Sequence, residues 1–214
     1  MSSIVIAGGH GKIALRLAKL LSDSGHEVRS LIRNVKHADD VRAAGGVPVE
    51  GDLEVKEDYS DWVRGADVVV FAAGAGPGSG AERKRTVDLG AAVKLRDAAV
   101  AERAGRYLMV SSMGAGDPSS ASEEMRPYQE AKHDADQAVM ESDLVWTIVR
   151  PGGLTDDDGA GTVELAESLG RYGQVTRDDV AAVLAGCLTE QATERKVFEV
   201  LAGDTPIAQV LAQL

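Results

Sequence analysis

The stretch AGGHGKIA, residues 7–14, most constrains what this chain can fold into. It follows the apolar run Ile4 to Ala7 and opens the amphipathic stretch Ile13 to Leu21, whose spacing is helical. Gly8-x-x-Gly11-x-x-Ala14 and, in an overlapping register, Gly9-x-Gly11-x-x-Ala14 both suit a strand-to-helix turn. Such a turn uses one glycine for its tight reversal and another where the backbone approaches a diphosphate, and a small third residue lets the helix pack on the strand. The N–H groups of the helix start then face the anion. A Gly-rich string alone is weak evidence, and its place between an apolar strand and an amphipathic helix makes it much stronger.

The rest of the chain repeats this alternation. Strands are expected over Val28 to Ile32, Val47 to Val49, Asp67 to Ala72, Tyr107 to Val110 and Val145 to Val149. Helical stretches lie between them at Ala38 to Ala44, Tyr59 to Val63, Ala81 to Ala104 (stopped by Gly105) and Pro127 to Ser142. Strands separated by helices imply βαβ units and a parallel sheet. Continuous apolar runs such as VVVFAA and YLMV imply burial on both faces. Right-handed crossovers bring the Gly-rich turn to the C-terminal edge of the sheet, where such sheets bind ligands. Beyond Pro151 the pattern predicts a loop over 152–161, a short strand at Gln174 and Val175, and a capping-box-like start at Thr176 and Asp179 for a helix Val180 to Leu188. A strand over Val197 to Leu201 and a helix over Ile207 to Leu214 complete it. The expected fold is therefore α/β, a Rossmann-type doubly wound parallel sheet in one domain over 1–214, with 151–214 a small substrate-side region. Loops at 75–85, 113–126 and 152–175 are expected to wall the substrate pocket.

Composition narrows the partners. A net charge of -11 is a poor match for nucleic acid or anionic membranes. The single Cys187, in an apolar helical stretch, excludes an internal disulfide framework and reads as a core residue. No leader pattern and no membrane-length apolar run is found, so a cytoplasmic location is expected. The four histidines, His10, His26, His37 and His133, lie on separate segments, so no metal is expected. Asp156 to Asp158 lack calcium-loop spacing and read as a solvated loop. Arg83-Lys84-Arg85 reads as a solvated helix face, with contact to cofactor phosphates as the sharper alternative.

The cofactor candidates extend from the first turn. Gly8, Gly9, His10, Gly11, Lys12 and Ile13 make up its phosphate cradle. The second strand runs into Arg33. An acidic residue there would accept from a ribose 2′-OH, whereas a cation favours a 2′-phosphate, so NADP(H) is expected over NAD. Lys12 either adds a second positive charge or is solvated. In Gly51-Asp52-Leu53 a carboxylate is placed to accept from the adenine amino group, and Ala72-Ala73-Gly74 allow close backbone approach.

These residues resemble the short-chain dehydrogenase/reductase superfamily, in its atypical branch of small NAD(P)-binding, NmrA-like and epimerase-like proteins. The resemblance spans most of the chain, through AGGHGKIA, EGDLE, VDLGAAVKL, YLMVSSMGA, YQEAK, WTIVRPGGL and RDDVA. It implies that Tyr128 and Lys132 are catalytic, four apart and so on one helix face. Tyr128 would pass a proton to or from a substrate oxygen. Lys132 would hold the nicotinamide ribose, Ser112 (or its neighbour Ser111) would polarise the substrate oxygen, and Pro151 and Gly152 would shape the nicotinamide pocket. The family's Asn on the long helix is missing, and Asp88 stands nearest. The implied activity is NADPH-dependent reduction of a small carbonyl or similar hydride acceptor by a monomer or homodimer. The alternatives are a non-catalytic NADP(H) sensor and, third, a nucleotide-sugar epimerase or dehydratase. Only 64 residues follow Arg150 to build a sugar-nucleotide region.

Overall fold

The computed structural model describes residues 1–76 and 78–214. Pro77, inside the 75–85 stretch expected to wall the pocket, lies outside the described residues. The elements run β1 (Ser3–Ala7), α1 (Lys12–Asp23), β2 (Glu27–Ile32), α2 (Ala38–Ala43), β3 (Val47–Glu50), α3 (Ser60–Val63), β4 (Val68–Phe71) and α4 (Ala81–Arg83). A π-helical segment, Lys84–Ala91, leads into α5 (Ala92–Ala101). Then follow β5 (Arg106–Val110), α6 (Arg126–Met140), β6 (Trp146–Pro151), β7 (Gly153–Thr155), β8 (Thr162–Ala166) and β9 (Gln174–Thr176). Last come α7 (Arg177–Cys187), β10 (Lys196–Ala202), β11 (Thr205–Pro206) and α8 (Ile207–Leu211).

A nine-stranded sheet has the order β11-β8-β10-β6-β5-β4-β1-β2-β3. The seven strands from β10 to β3 pair in parallel, while β8 is antiparallel to both β10 and β11. Strand order reverses at β1, which pairs with β2 on one side and β4 on the other. That reversal opens the crevice in which doubly wound sheets bind ligands.

The apolar runs are explained by two cores, one on each face. Ile4, Ile6, Val68, Val70 and Leu108 point to the face covered by Leu17 of α1 and Leu184 of α7. The alternate residues Val5, Val69, Phe71, Tyr107 and Met109 meet Leu95 of α5 and Val139 of α6. Period-two alternation thus feeds both sides, and every position of β4 is buried.

Several boundaries differ from expectation. The long helix ends at Ala101, and its stop is Arg103 at φ 57°, not Gly105. Arg103 N donates to Val100 O (3.1 Å) and Ala104 N to Ala99 O (2.9 Å), a Schellman closure that brings the chain round before Gly105. The α7 helix starts at Arg177, directly after its Thr176 cap. The 152–161 stretch is not all loop, because β7 pairs in parallel with β9 as a separate two-stranded sheet. β8 falls within residues read as loop: only Val163 of its TVELA is buried, so its sequence carries little strand signal. Its place is set by pairing with β10.

Candidate functional site

The Gly-rich turn is dictated by close contacts. Gly8 has φ +80°, and a Cβ there would lie 2.6 Å from Ala73 Cα. A Cβ on Gly9 would lie 2.5 Å from Ser30 Cβ, so β2 imposes this glycine. Gly11 N donates to Gly8 O (2.8 Å), and Gly11 is the N-cap of α1. It has no side chain to cap the helix, and the first turn carries no acidic residue. The leading N–H groups of α1 are therefore left to an anion, which suits a dinucleotide diphosphate. Ala14 is fully buried, as helix–strand contact requires.

Beside the turn lies a cleft of about 600 Å³, lined by His10, Arg33, His37, Asp52, Glu54 and Arg83 among others. His10 stacks on His37 with centroids 3.7 Å apart, and its Nε2 meets Asp40 Oδ2 at 2.8 Å. A Cβ on Gly51 would strike Trp62 at 2.1 Å, so the turn after β3 hugs that indole. Asp52 Oδ1 accepts from Glu54 N (2.9 Å), and Leu53 also lines the cleft. Arg33 is 57% exposed and reaches Glu54 Oε2 at 3.4 Å. The same carboxylate accepts from Arg83 Nε (3.1 Å) and Thr86 Oγ1 (2.9 Å).

Lys12 lines the same cleft and pairs with Asp156. Asp156 also meets Arg177 at 3.0 Å and Arg16 at 3.8 Å, and Arg16 bonds Asp178. The Lys12 hydrogen bond, aided by Arg177 and Arg16, holds the Asp156 carboxyl below the usual range. The Asp156 side chain is exposed, as the reading of a solvated loop expects, and it also ties the Gly-rich turn to α7.

A second cavity, about 500 Å³, shares Ala72, Ala73 and Gly74 with the first. Ile13, Asp88, Ser111, Tyr128, Lys132 and Leu154 line it. Lys132 Nζ donates to Val110 O (3.2 Å) and Ala73 O (3.5 Å), lies 3.3 Å from Asp88 Oδ1, and sits over the Phe71 ring at 5.3 Å. The Lys132 and Asp88 side chains are 4% and 0% exposed. Ala75 N donates to Asp88 Oδ2 at 3.2 Å. Sequence reading names Asp88 only as a neighbour of the missing Asn. The available signal was a carboxylate between Val87 and Ala91 on the buried side of the helix. It lies in the π-helical segment, a distortion that recurs at functional sites.

Tyr128, in the first turn of α6, is half-buried. Of the two serines, Ser111 lines the cavity, and its buried Oγ lies beside the Asp136 carboxylate. Ser112 Oγ accepts from Gln129 Nε2 at 3.1 Å and does not line the cavity. Farther along α6, Asp136 is fully buried and takes two 2.9 Å contacts from Arg150. Burial pushes its carboxyl above the usual range, with Arg150 opposing. Pro151 and Gly152 line neither cavity. A Cβ on Gly152 would lie 2.5 Å from Gly173 O and from Leu201 Cδ2, so strand packing imposes that glycine. Leu154 is the residue that reaches the cavity from this segment. Among the described residues no His, Cys, Asp or Glu group is arranged to hold a metal, and no helix is long and apolar enough to cross a membrane.

The NAD(P)H-binding family model matches residues 8–191. YhfK of Bacillus subtilis, named an uncharacterized sugar epimerase, is 37% identical over 213 residues, covering 99% of each chain. A Bacillus halodurans structure described as an NAD-dependent epimerase/dehydratase superimposes with TM-score 0.96 at 39% identity over the full length of both chains. The oxidoreductase ylbE of Lactococcus lactis shares the fold, with TM-score 0.85 at 24% identity over 99% of this chain and 96% of its own.

Proposed function

The chain belongs to the NAD(P)H-binding family, among the atypical short-chain dehydrogenase/reductase, NmrA-like and epimerase-like proteins, and from that premise we propose that it is an NADP(H)-dependent oxidoreductase reducing a small carbonyl or similar hydride acceptor. One observation carries this reading: Tyr128, Ser111 and Lys132 line one cavity, and that cavity shares the Ala72–Gly74 wall with the cleft beside the Gly-rich turn.

A bound nicotinamide supplies the hydride. The chain's own residues handle position and proton. The α1 N–H groups hold the diphosphate. Tyr128 donates its phenolic proton to the substrate oxygen, and Ser111, in preference to Ser112, donates a hydrogen bond to the same oxygen. Lys132 already spends its donors on Val110 O and Ala73 O, and its charge is balanced by Asp88. Its role is therefore to fix α6 against the ends of β4 and β5, which holds Tyr128 at the cavity, and to offer what hydrogen bonding remains to the nicotinamide ribose. Arg33, at the end of β2, supports the preference for NADP(H).

The test is NADPH consumption with a panel of small aldehydes and ketones, compared with Tyr128→Phe. Turnover should fall at least 100-fold, in line with the size of general-acid effects, while NADPH binding is kept. A rate indifferent to Tyr128 refutes its assignment. A second reading, epimerase chemistry at the same site, is favoured by the naming of the 37% identical relative. It predicts sugar-nucleotide interconversion with no net cofactor consumption. Cofactor binding with neither activity would leave the sensor role.

A further inference from the structure

We propose that Arg83 and Glu54, acting with Arg33, determine whether the adenosine ribose is accepted with or without a 2′-phosphate; this deepens the cofactor reading above and rests on it. Two guanidiniums from different elements converge on one carboxylate. Arg33 follows β2, Arg83 belongs to α4, and both reach Glu54 Oε2, at 3.4 and 3.1 Å. Arg83 is anchored from behind, with its Nη1 donating to Ala75 O at 2.9 Å. Thr86 Oγ1 holds the other carboxylate oxygen. All three charged side chains line the cleft beside the Gly-rich turn.

Guanidiniums gathered round one carboxylate are arranged for an anion. A phosphate monoester carries close to two negative charges and three acceptor oxygens, so it outcompetes a carboxylate for both. An unphosphorylated ribose offers only hydroxyls. Glu54 is therefore a resident competitor that holds the two arginines in place and weakens phosphate binding by repulsion. Arg83 lies in the run Arg83-Lys84-Arg85, which by sequence reads as a solvated helix face, with contact to cofactor phosphates as the sharper alternative.

The experiment is calorimetric titration of NADP+ and NAD+ into the full chain and into Glu54→Gln, Arg83→Ala and Arg33→Ala, at low and high salt. Glutamine keeps an acceptor for Thr86, and circular dichroism checks the fold of each variant. Glu54→Gln should tighten NADP+ about tenfold and change NAD+ less than threefold. Arg83→Ala should weaken NADP+ about tenfold and spare NAD+. Both effects should shrink as salt rises, because the side chains are partly exposed. If Glu54→Gln instead weakens NAD+ and leaves NADP+ alone, Glu54 is an acceptor for the 2′-hydroxyl and the inference is overturned. Equal loss of both nucleotides in Arg83→Ala also overturns it. Either result leaves the cofactor reading standing, whereas a wild-type chain that binds neither nucleotide overturns both.

Discussion

At the residue scale, Lys132 and Asp88 show how a charge survives in a core. Each is almost completely buried, so each depends on the other and on backbone partners. Removing one partner of such a pair strands the other, at a cost of about 3–5 kcal/mol, whereas removing both is often near neutral. Lys132→Met and Asp88→Ala should each lower stability to urea by that order, and the double variant should recover a large part of the loss. Strictly additive losses would contradict the pairing. The family resemblance made Lys132 visible from the sequence, but not its neutralisation. Asp88 comes from a helix 44 positions away in the chain, and only the packed structure brings the two together.

At the element scale, the start of α7 was legible because its signal is local. Thr176 Oγ1 accepts from Asp179 N at 3.0 Å, as the Thr-x-x-Asp spacing suggested. Asp179 does more than a cap needs. Its carboxylate also accepts from Ala160 N (3.1 Å) and Gly161 N (2.8 Å), tying the 152–161 segment to the helix. Thr176→Ala should cost about 1 kcal/mol, the usual size of a lost N-cap, read as a fall in melting temperature of about 2–4 °C. Hydrogen exchange at Ala160 and Gly161 should rise in the same variant, since Thr176 Oγ1 also donates to Asp179 Oδ2 at 2.8 Å. Unchanged exchange there would show that Asp179 holds the segment unaided. The π-helical segment was not legible, because backbone hydrogen-bond slippage leaves no periodicity of its own in eight residues.

At the scale of the whole molecule, Asp156 joins parts far apart in sequence: the Gly-rich turn through Lys12, α1 through Arg16 and α7 through Arg177. Its carboxyl is held below the usual range, so its contribution to stability is complete above an unfolded value of about 3.9 and is lost as pH falls through the lower folded value. Melting curves of the wild type and Asp156→Asn should therefore differ at pH 6 and converge toward pH 2, with all other carboxylates common to both. A gap independent of pH would mean that the aspartate acts by shape alone. The contact is exposed enough that salt should narrow the gap as well.

Local chemistry was sufficient for the doubly wound sheet, the turn around Gly8 and Gly11 and the cap at Thr176, while Tyr128, Lys132 and Ser112 entered through the family resemblance. Strand alternation, glycine punctuation and capping act between residues close in the chain, and their signals survive in the linear order. Tertiary packing alone decided which partner each charged side chain took: Lys12 with Asp156, Arg33 and Arg83 with Glu54, and Lys132 with Asp88. It also decided that Ser111 rather than Ser112, and Leu154 rather than Pro151 or Gly152, line the cavity. Charge pairing and cavity lining depend on distances across separate segments, which are defined only once the sheet has brought those segments together.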